Sequence, residues 1–186
     1  YDNYDSIMCV GSHQINEIRK REQLKKLPAK NLIKHGYARV EELMEEAQQK
    51  RRLPGKPYKI LLAPTWGENS IFNQCGKELV GILLEAGYGV IMRPHYQTRR
   101  LTPEVLDEVI DAWGDHANFE VIEQMGESDS LFRSHALVSD WSGISIEYAL
   151  GLEKPVLFVD LPRRVRNPDW RKLGIEPFEA TIREQV

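Results

Sequence analysis

Seven short apolar runs recur along this chain with helix-length segments between them. That alternation restricts the fold to the α/β class, because each strand is carried back by a helix to lie parallel with the one before. The runs fall at residues 5–10, 30–34, 58–64, 89–93, 119–123, 136–140 and 155–160. Most are continuously apolar rather than alternating in polarity, as expected of strands covered on both faces. Amphipathic patterns fill the gaps. Residues 72–86 bring Leu79, Val80, Ile82, Leu83 and Leu84 together ahead of Gly87, a C-terminal stop. Thr102 reads as the cap of another helix, with Pro103 at its first position, Glu104 in its first turn and Val105, Leu106, Val109 and Ile110 on its apolar face. The expected fold is therefore a Rossmann-like parallel sheet with helices on both faces.

The 186 residues suit one compact domain with a short appendage. With 41% apolar and 28% charged residues the chain can build a core, which excludes disorder as its main state. A formal charge of −3 gives no net positive field to recruit nucleic acid or anionic lipid. Cys9 and Cys75 have neither metal spacing nor the density of a disulfide scaffold, so they read as buried small hydrophobes in a reducing compartment. No apolar run reaches the length of a membrane span, and no signal peptide opens the chain. It begins at Tyr1 and enters an apolar run almost at once, which suggests a piece of something longer. Residues 41–57 are Glu-rich, pass through Lys50, Arg51 and Arg52, and end on Pro54, Gly55, Lys56 and Pro57; they read as a charged helix and a linker.

In a parallel sheet, ligands bind outside the carboxyl ends of the strands, so the residues that follow each strand are the candidate site. The third run leads into Thr65 and Trp66, a hydroxyl and an indole, either a ligand contact or an ordinary turn. The fourth leads into Arg93, Pro94 and His95, a fixed cation and an imidazole at one strand end. Arg offers a planar donor fork for phosphate, and His donates to phosphate oxygen or shuttles a proton near neutral pH. Among His13, His35, His95, His116 and His135, His95 is the candidate. The sixth run ends on Ser139, Asp140, Trp141, Ser142 and Gly143, where backbone N–H groups and Ser142 can gather on an anion at a helix start. Asp140 or Ser142 could instead simply cap that helix. Glu147, one turn on, either reaches a sugar hydroxyl or faces solvent. The chain lacks G-x-G-x-x-G, a Walker A sequence and metal-site spacing, so no tightly bound cofactor or metal is expected.

In this order the segments resemble the CDP-glycerol glycerophosphotransferase family, the teichoic-acid-type polymerases and primases with a GT-B fold. Residues 4–12 are similar to a family strand that ends in serine, and residues 36–43 to its G-Y-P-R-x-D-x-L segment. Residues 59–66 are similar to its L-x-A-P-T-W strand end, and Arg93 to His95 to its R/K-x-H segment. Ser139, Asp140, Trp141 and Ser142 with Glu147 and Tyr148 resemble its S-D-Y-S-S and E-Y motif, and residues 154–158 its K-P-I-x-F segment. Gly143 replaces the second serine, Ala38 replaces the proline, and the stretch holding Arg163, Arg164 and Arg166 lacks the family's tyrosine-rich continuation.

The resemblance implies that residues 1–40 end a preceding GT-B half or lead into this one, that residues 41–57 are charged helix and linker, and that residues 58–186 form the nucleotide-binding, donor-side domain. It implies a CDP-linked donor, CDP-glycerol above all. The acceptor, a polymer or lipid-linked primer, would be held by a domain upstream of residue 1, without which the fragment is expected to be inactive. It implies no nucleic-acid partner, and a cytoplasmic location with membrane contact at the inner face only in the intact protein. The implied roles are His95 as catalytic donor or proton shuttle, Arg93 as local cation, and Ser139, Ser142 and Gly143 on the diphosphate. Asp140 would orient that loop, Glu147 would hold the ribose, Thr65 and Trp66 would sit beside the phosphates, and residues 123–130 would meet the base. Competing readings keep the fold but use a UDP-sugar, as a glycosyltransferase or epimerase, or make the chain a noncatalytic nucleotide-binding or interaction domain. A solvated loop is expected for residues 163–166, with contact to donor phosphate or an anionic membrane as the alternative.

Overall fold

The computed structural model describes residues 2–50, 55–124, 126, 128–165, 167 and 169–183. Arg51, Arg52 and Pro54 of the expected linker, Met125 and Glu127 of the expected base contact, and Arg166 lie outside the described residues. Each of the seven expected strands is present, one to three residues shorter than its apolar run. They form two parallel sheets. β1 (Ser6–Cys9) and β2 (Asn31–Lys34) pair around α1 (Ser12–Lys25), in register from Ser6 opposite Asn31 to Cys9 opposite Lys34. The larger sheet has the order β5-β4-β3-β6-β7, built from β3 (Lys59–Leu62), β4 (Gly89–Met92), β5 (Phe119–Val121), β6 (Ala136–Ser139) and β7 (Val156–Phe158). All its neighbours are parallel. This is a doubly wound Rossmann-like sheet whose strand order reverses between β3 and β6, and the crevice at that reversal is where such sheets bind ligands.

Continuous apolar runs are explained by the two faces. Successive side chains of a strand point to opposite sides. Leu62, Met92 and Val138 face α3 (Ile71–Glu85) and α5 (Pro103–Trp113), packing with Ile71, Phe72, Val80, Leu84, Leu106 and Val109. Leu61, Ile91 and Leu137 face the opposite layer, packing with Leu43 of α2 (Ala38–Gln49), Leu131 of α6 (Asp129–Arg133) and Tyr148 of α7 (Ile144–Leu152). Burying each such side chain contributes about 1.5–3 kcal/mol. Thr102 does precede α5, with Pro103 first, but its hydroxyl donates to the Thr98 carbonyl (3.5 Å) rather than capping the helix.

The charged helix expected as a boundary segment is instead a packed layer of the larger sheet. Its exposed faces carry the glutamates, while Leu43 is fully buried. Close approach of α2 to α7 depends on Gly151, where an added Cβ would lie 2.9 Å from the Leu43 Cβ. Gly151→Ala is expected to cost about 1–3 kcal/mol in urea unfolding, the range for overpacking a filled core. Gly143→Ala, at an α-helical φ of −63° with open space around the new methyl, is expected to leave the midpoint unchanged. Equal midpoints for the two variants would refute this account of the α2–α7 contact.

After β7 the chain crosses back to the smaller sheet. α8 (Trp170–Leu173) packs on α1, and α9 (Phe178–Arg183) follows. Asn167 donates to Glu17 of α1 (2.6 Å), Lys20 donates to the Gly174 carbonyl (3.3 Å), and His13 stacks on Phe178 with ring centroids 3.9 Å apart. Arg183 then returns to the larger sheet, lying over the rings of Trp141 (4.0 Å) and Phe158 (4.6 Å). No helix among the described residues is long and apolar enough to cross a membrane.

Candidate functional site

A cleft of about 780 Å³ opens between the carboxyl ends of the larger sheet and α1. Thr65 and Trp66 follow β3, His95 follows β4, and Trp141, Ser142 and Gly143 follow β6; all six line it. Five of the nine expected site residues are thus gathered in one cavity: His95, Thr65, Trp66, Ser142 and Gly143. Arg93, Ser139, Asp140 and Glu147 are not part of its lining.

Ser139, Asp140 and Glu147 each make contacts within the fold. Ser139 is fully buried and its hydroxyl donates to the Ala63 carbonyl (2.8 Å), fastening the end of β6 to that of β3. Asp140, also fully buried, is hydrogen-bonded by the backbone of Trp141 in its own loop and reaches across to the β3 loop as well. Its carboxylate accepts the N–H of Thr65 (2.7 Å) and that of Ile71 at the start of α3 (3.1 Å). Burial raises the Asp140 carboxyl above the ordinary range, and these backbone donors oppose the shift. Non-helical torsions at Cys75 (φ −157°, ψ 21°) kink α3, so the piece that meets Asp140 is the short turn at its start. Glu147 accepts a hydrogen bond from the Tyr37 hydroxyl, joining α7 to the start of α2. The backbone N–H of Arg93 donates to Leu62 (2.9 Å) as part of the β3–β4 pairing.

His95 precedes the short helix α4 (Tyr96–Leu101) and caps it: Nδ1 accepts the Gln97 N–H (3.1 Å). The neutral ring therefore carries its proton on Nε2. Its ring stacks on Tyr96 (4.7 Å) and lies 6.1 Å from that of Trp66. The histidines outside the cleft serve the backbone: His135 accepts from Lys59 (3.0 Å), His116 accepts from Asn118 (3.2 Å), and His35 contacts the Gly36 carbonyl (3.4 Å).

Two further parts complete the cleft. Arg164, expected in a solvated loop with donor phosphate as the alternative, lies against the β3 loop. Its Nη1 donates to the Thr65 hydroxyl (2.6 Å) and to the Trp66 carbonyl, with the guanidinium 4.2 Å over the Trp66 ring. Arg163, by contrast, pairs with Glu176 and lies over Trp170 (5.1 Å). Three arginines beside a tryptophan were the available signal, yet nothing local says which arginine turns inward. The second part is the face of α1, where His13, Gln14, Glu17 and Arg21 line the cleft at helical spacing. Of residues 123–130, none of those described lines the cleft; Glu123 instead pairs with Arg99 (2.9 Å).

The cleft thus has side-chain donors and a cation beside the strand-order reversal, the position at which doubly wound sheets bind ligands. The profile of the CDP-Glycerol:Poly(glycerophosphate) glycerophosphotransferase family matches residues 1–162, and the chain belongs to that family. Its fold is similar to the wall teichoic acid polymerase TagF, in a variant soaked with CDPG (TM-score 0.50, 20% identity, 83% of this chain and 37% of that one). It is also similar to UDP-GlcNAc 2-epimerase from Neisseria meningitidis bound to UDP-GlcNAc (TM-score 0.52, 22% identity, 75% of this chain and 41% of that one). The chain therefore spans about two fifths of the length of either structure. No curated protein matches it by sequence.

Proposed function

We propose that this chain is the donor-binding part of a transferase that moves glycerol phosphate, or a similar alditol phosphate, from a CDP-linked donor to an acceptor hydroxyl in cell-envelope polymer synthesis. The observation that carries the reading is the convergence of Arg164, Thr65, Ser142, Gly143 and His95 on one cleft at the strand reversal, in a chain of the glycerophosphotransferase family. A diphosphate needs such a set of fixed donors with a cation beside them. In the reaction the acceptor oxygen forms a bond to the donor's β-phosphorus. The bond from that phosphorus to the bridging oxygen breaks, CMP leaves with the electron pair, and the hydroxyl proton passes to a base. The chain's contribution is to position the diphosphate and to neutralise charge spreading over the transferred group. His95 suits hydrogen-bond donation better than proton removal, since its Nδ1 lone pair already holds the Gln97 N–H.

A second reading, a UDP-sugar enzyme, is favoured by the likeness of fold to the UDP-GlcNAc 2-epimerase. Isothermal titration with CMP, CDP, CDP-glycerol, UDP and UDP-N-acetylglucosamine separates the two. We expect cytidine nucleotides to bind selectively, and Ser142→Ala to weaken the diphosphates about tenfold through one lost charge-assisted hydrogen bond. Selective uridine binding would replace the donor assignment, and no binding of any nucleotide would remove it.

A further inference from the structure

The two walls of the cleft differ in chemistry. On the strand-end wall stand Arg164, Thr65, Trp66, His95, Ser142 and Gly143, a set rich in hydrogen-bond donors. Facing them, α1 and the returning C-terminal segment present His13, Glu17 and Glu179, with Phe178 behind. Arg21 also reaches this wall, but its guanidinium is held by Asp2 (2.7 and 3.0 Å) and by Asp169 (3.7 Å). A phosphate there would meet carboxylates of its own sign, which is costly. Neutral hydroxyl groups would instead donate to carboxylate and imidazole acceptors.

The seating of His13 is specific. Its ring lies flat on Phe178, 3.9 Å between centroids and 13° between planes. The edge bearing Nδ1 lies so close to Gly11 that a Cβ at that position would sit 2.9 Å from it. Gly11 precedes α1 with an extended backbone that any residue could adopt, so the absence of a side chain there serves the space, not the torsion. Burial lowers the His13 pKa, against the opposing influence of Glu17 and Glu179, and so favours a neutral ring with an acceptor lone pair.

We infer that His13 and Glu179 form a polyol subsite that recognises the uncharged glycerol end of the donor, opposite the wall that takes its diphosphate. The inference rests on the donor proposed above and adds which residues distinguish the alditol from the nucleotide that carries it. A site built to hydrogen-bond a hydroxyl discriminates strongly against a ligand that lacks it.

The test compares CDP with CDP-glycerol by isothermal titration of the full 186-residue chain, as wild type, His13→Phe and Glu179→Gln. Phenylalanine keeps the stack on Phe178 while removing both ring nitrogens, and thermal melts check that the variants fold. Wild type is expected to bind CDP-glycerol about tenfold more tightly than CDP, and each variant to lose most of that ratio while keeping its affinity for CDP. An unchanged ratio in both folded variants would overturn the subsite, as would equal affinity for the two ligands in wild type. A parallel loss of CDP and CDP-glycerol would reduce His13 to a structural part. Failure of wild type to bind either ligand would remove the cytidine donor itself, and the subsite with it.

Discussion

Replacing His95 by asparagine in a full-length enzyme containing this chain is expected to lower turnover with CDP-glycerol about a hundredfold or more while leaving the melting temperature unchanged. Asparagine is among the best residues for the position before a helix, so its side-chain oxygen can take over the Gln97 N–H now held by Nδ1. The fold of α4 should survive, and what disappears is the imidazole proposed to donate to the transferred phosphoryl. Removing a positioned acid–base group or a donor to developing charge typically costs a factor of about 10² to 10⁴. His95→Ala removes the cap as well and should add a stability loss of about 1 kcal/mol. Steady-state rates for the asparagine variant within threefold of wild type would dismiss His95 from the chemistry, and an unchanged melting temperature would separate that outcome from any loss of fold.

The largest stability effect is expected at Lys154. Its ammonium donates to the carbonyls of Leu131 (2.9 Å), Phe132 (3.0 Å) and Ser134 (2.6 Å), closing the C-terminal end of α6 with three donors for three acceptors. Lys154→Met keeps the length of the side chain but takes the ammonium from the Phe132 and Ser134 carbonyls, leaving Leu131 with the Ser134 hydroxyl (3.2 Å), and the loss should be about 3 kcal/mol in urea unfolding. Burial lowers the Lys154 pKa to about 8, below the ordinary lysine value near 10.4. Between those two values the unfolded chain binds more protons than the folded one, so a pH-dependent part of the Lys154 contribution grows across that window; it vanishes as pH falls through 8, where the hydrogen bonds of the ammonium remain. Tyr148 acts in the opposite sense. Burial pushes its hydroxyl up to about 12, so its contribution is present below pH 10 and fades as pH climbs towards 12. The lysine slope is read as the difference between wild type and Lys154→Met in urea midpoints at pH 7.5 and 9.5. A variant as stable as wild type, or with the same pH dependence, would refute this account of the residue.

Strand positions were legible because the larger sheet buries both of its faces, which writes each strand as an unbroken apolar run. Leu61 and Leu62 go to opposite layers, as do Leu137 and Val138, so no polar residue interrupts either pair. Strand ends were legible for the same topological reason, and Thr65, Trp66, His95, Ser142 and Gly143 do meet in one cleft. Direction was not legible. A serine and an aspartate closing a buried strand look alike whether they face a ligand or a neighbouring loop, and Ser139 and Asp140 face the loop after β3. The charged helix misled because its few apolar residues, Leu43 chief among them, are enough to seat it against Gly151. Arg164 and the α1 wall depend on partners 99 to 150 positions away, a separation that local pattern does not record.

The return of the C-terminal segment to α1 has a kinetic consequence. Pairings in the larger sheet join residues from 19 positions apart, Leu137 with Val156, to 76 apart, Ile60 with Ala136. Joining Asn167 to Glu17, or Gly174 to Lys20, encloses 150 or more residues, and contacts of that separation are the slowest to form. The order of assembly is therefore sheet first and cleft last, the α1 wall closing only when the segment holding Asn167 and Gly174 has folded back. During synthesis the strand-end donors can be in place before the wall opposite them, so full ligand-dependent protection would wait until Asn167 and Phe178 have folded back on α1.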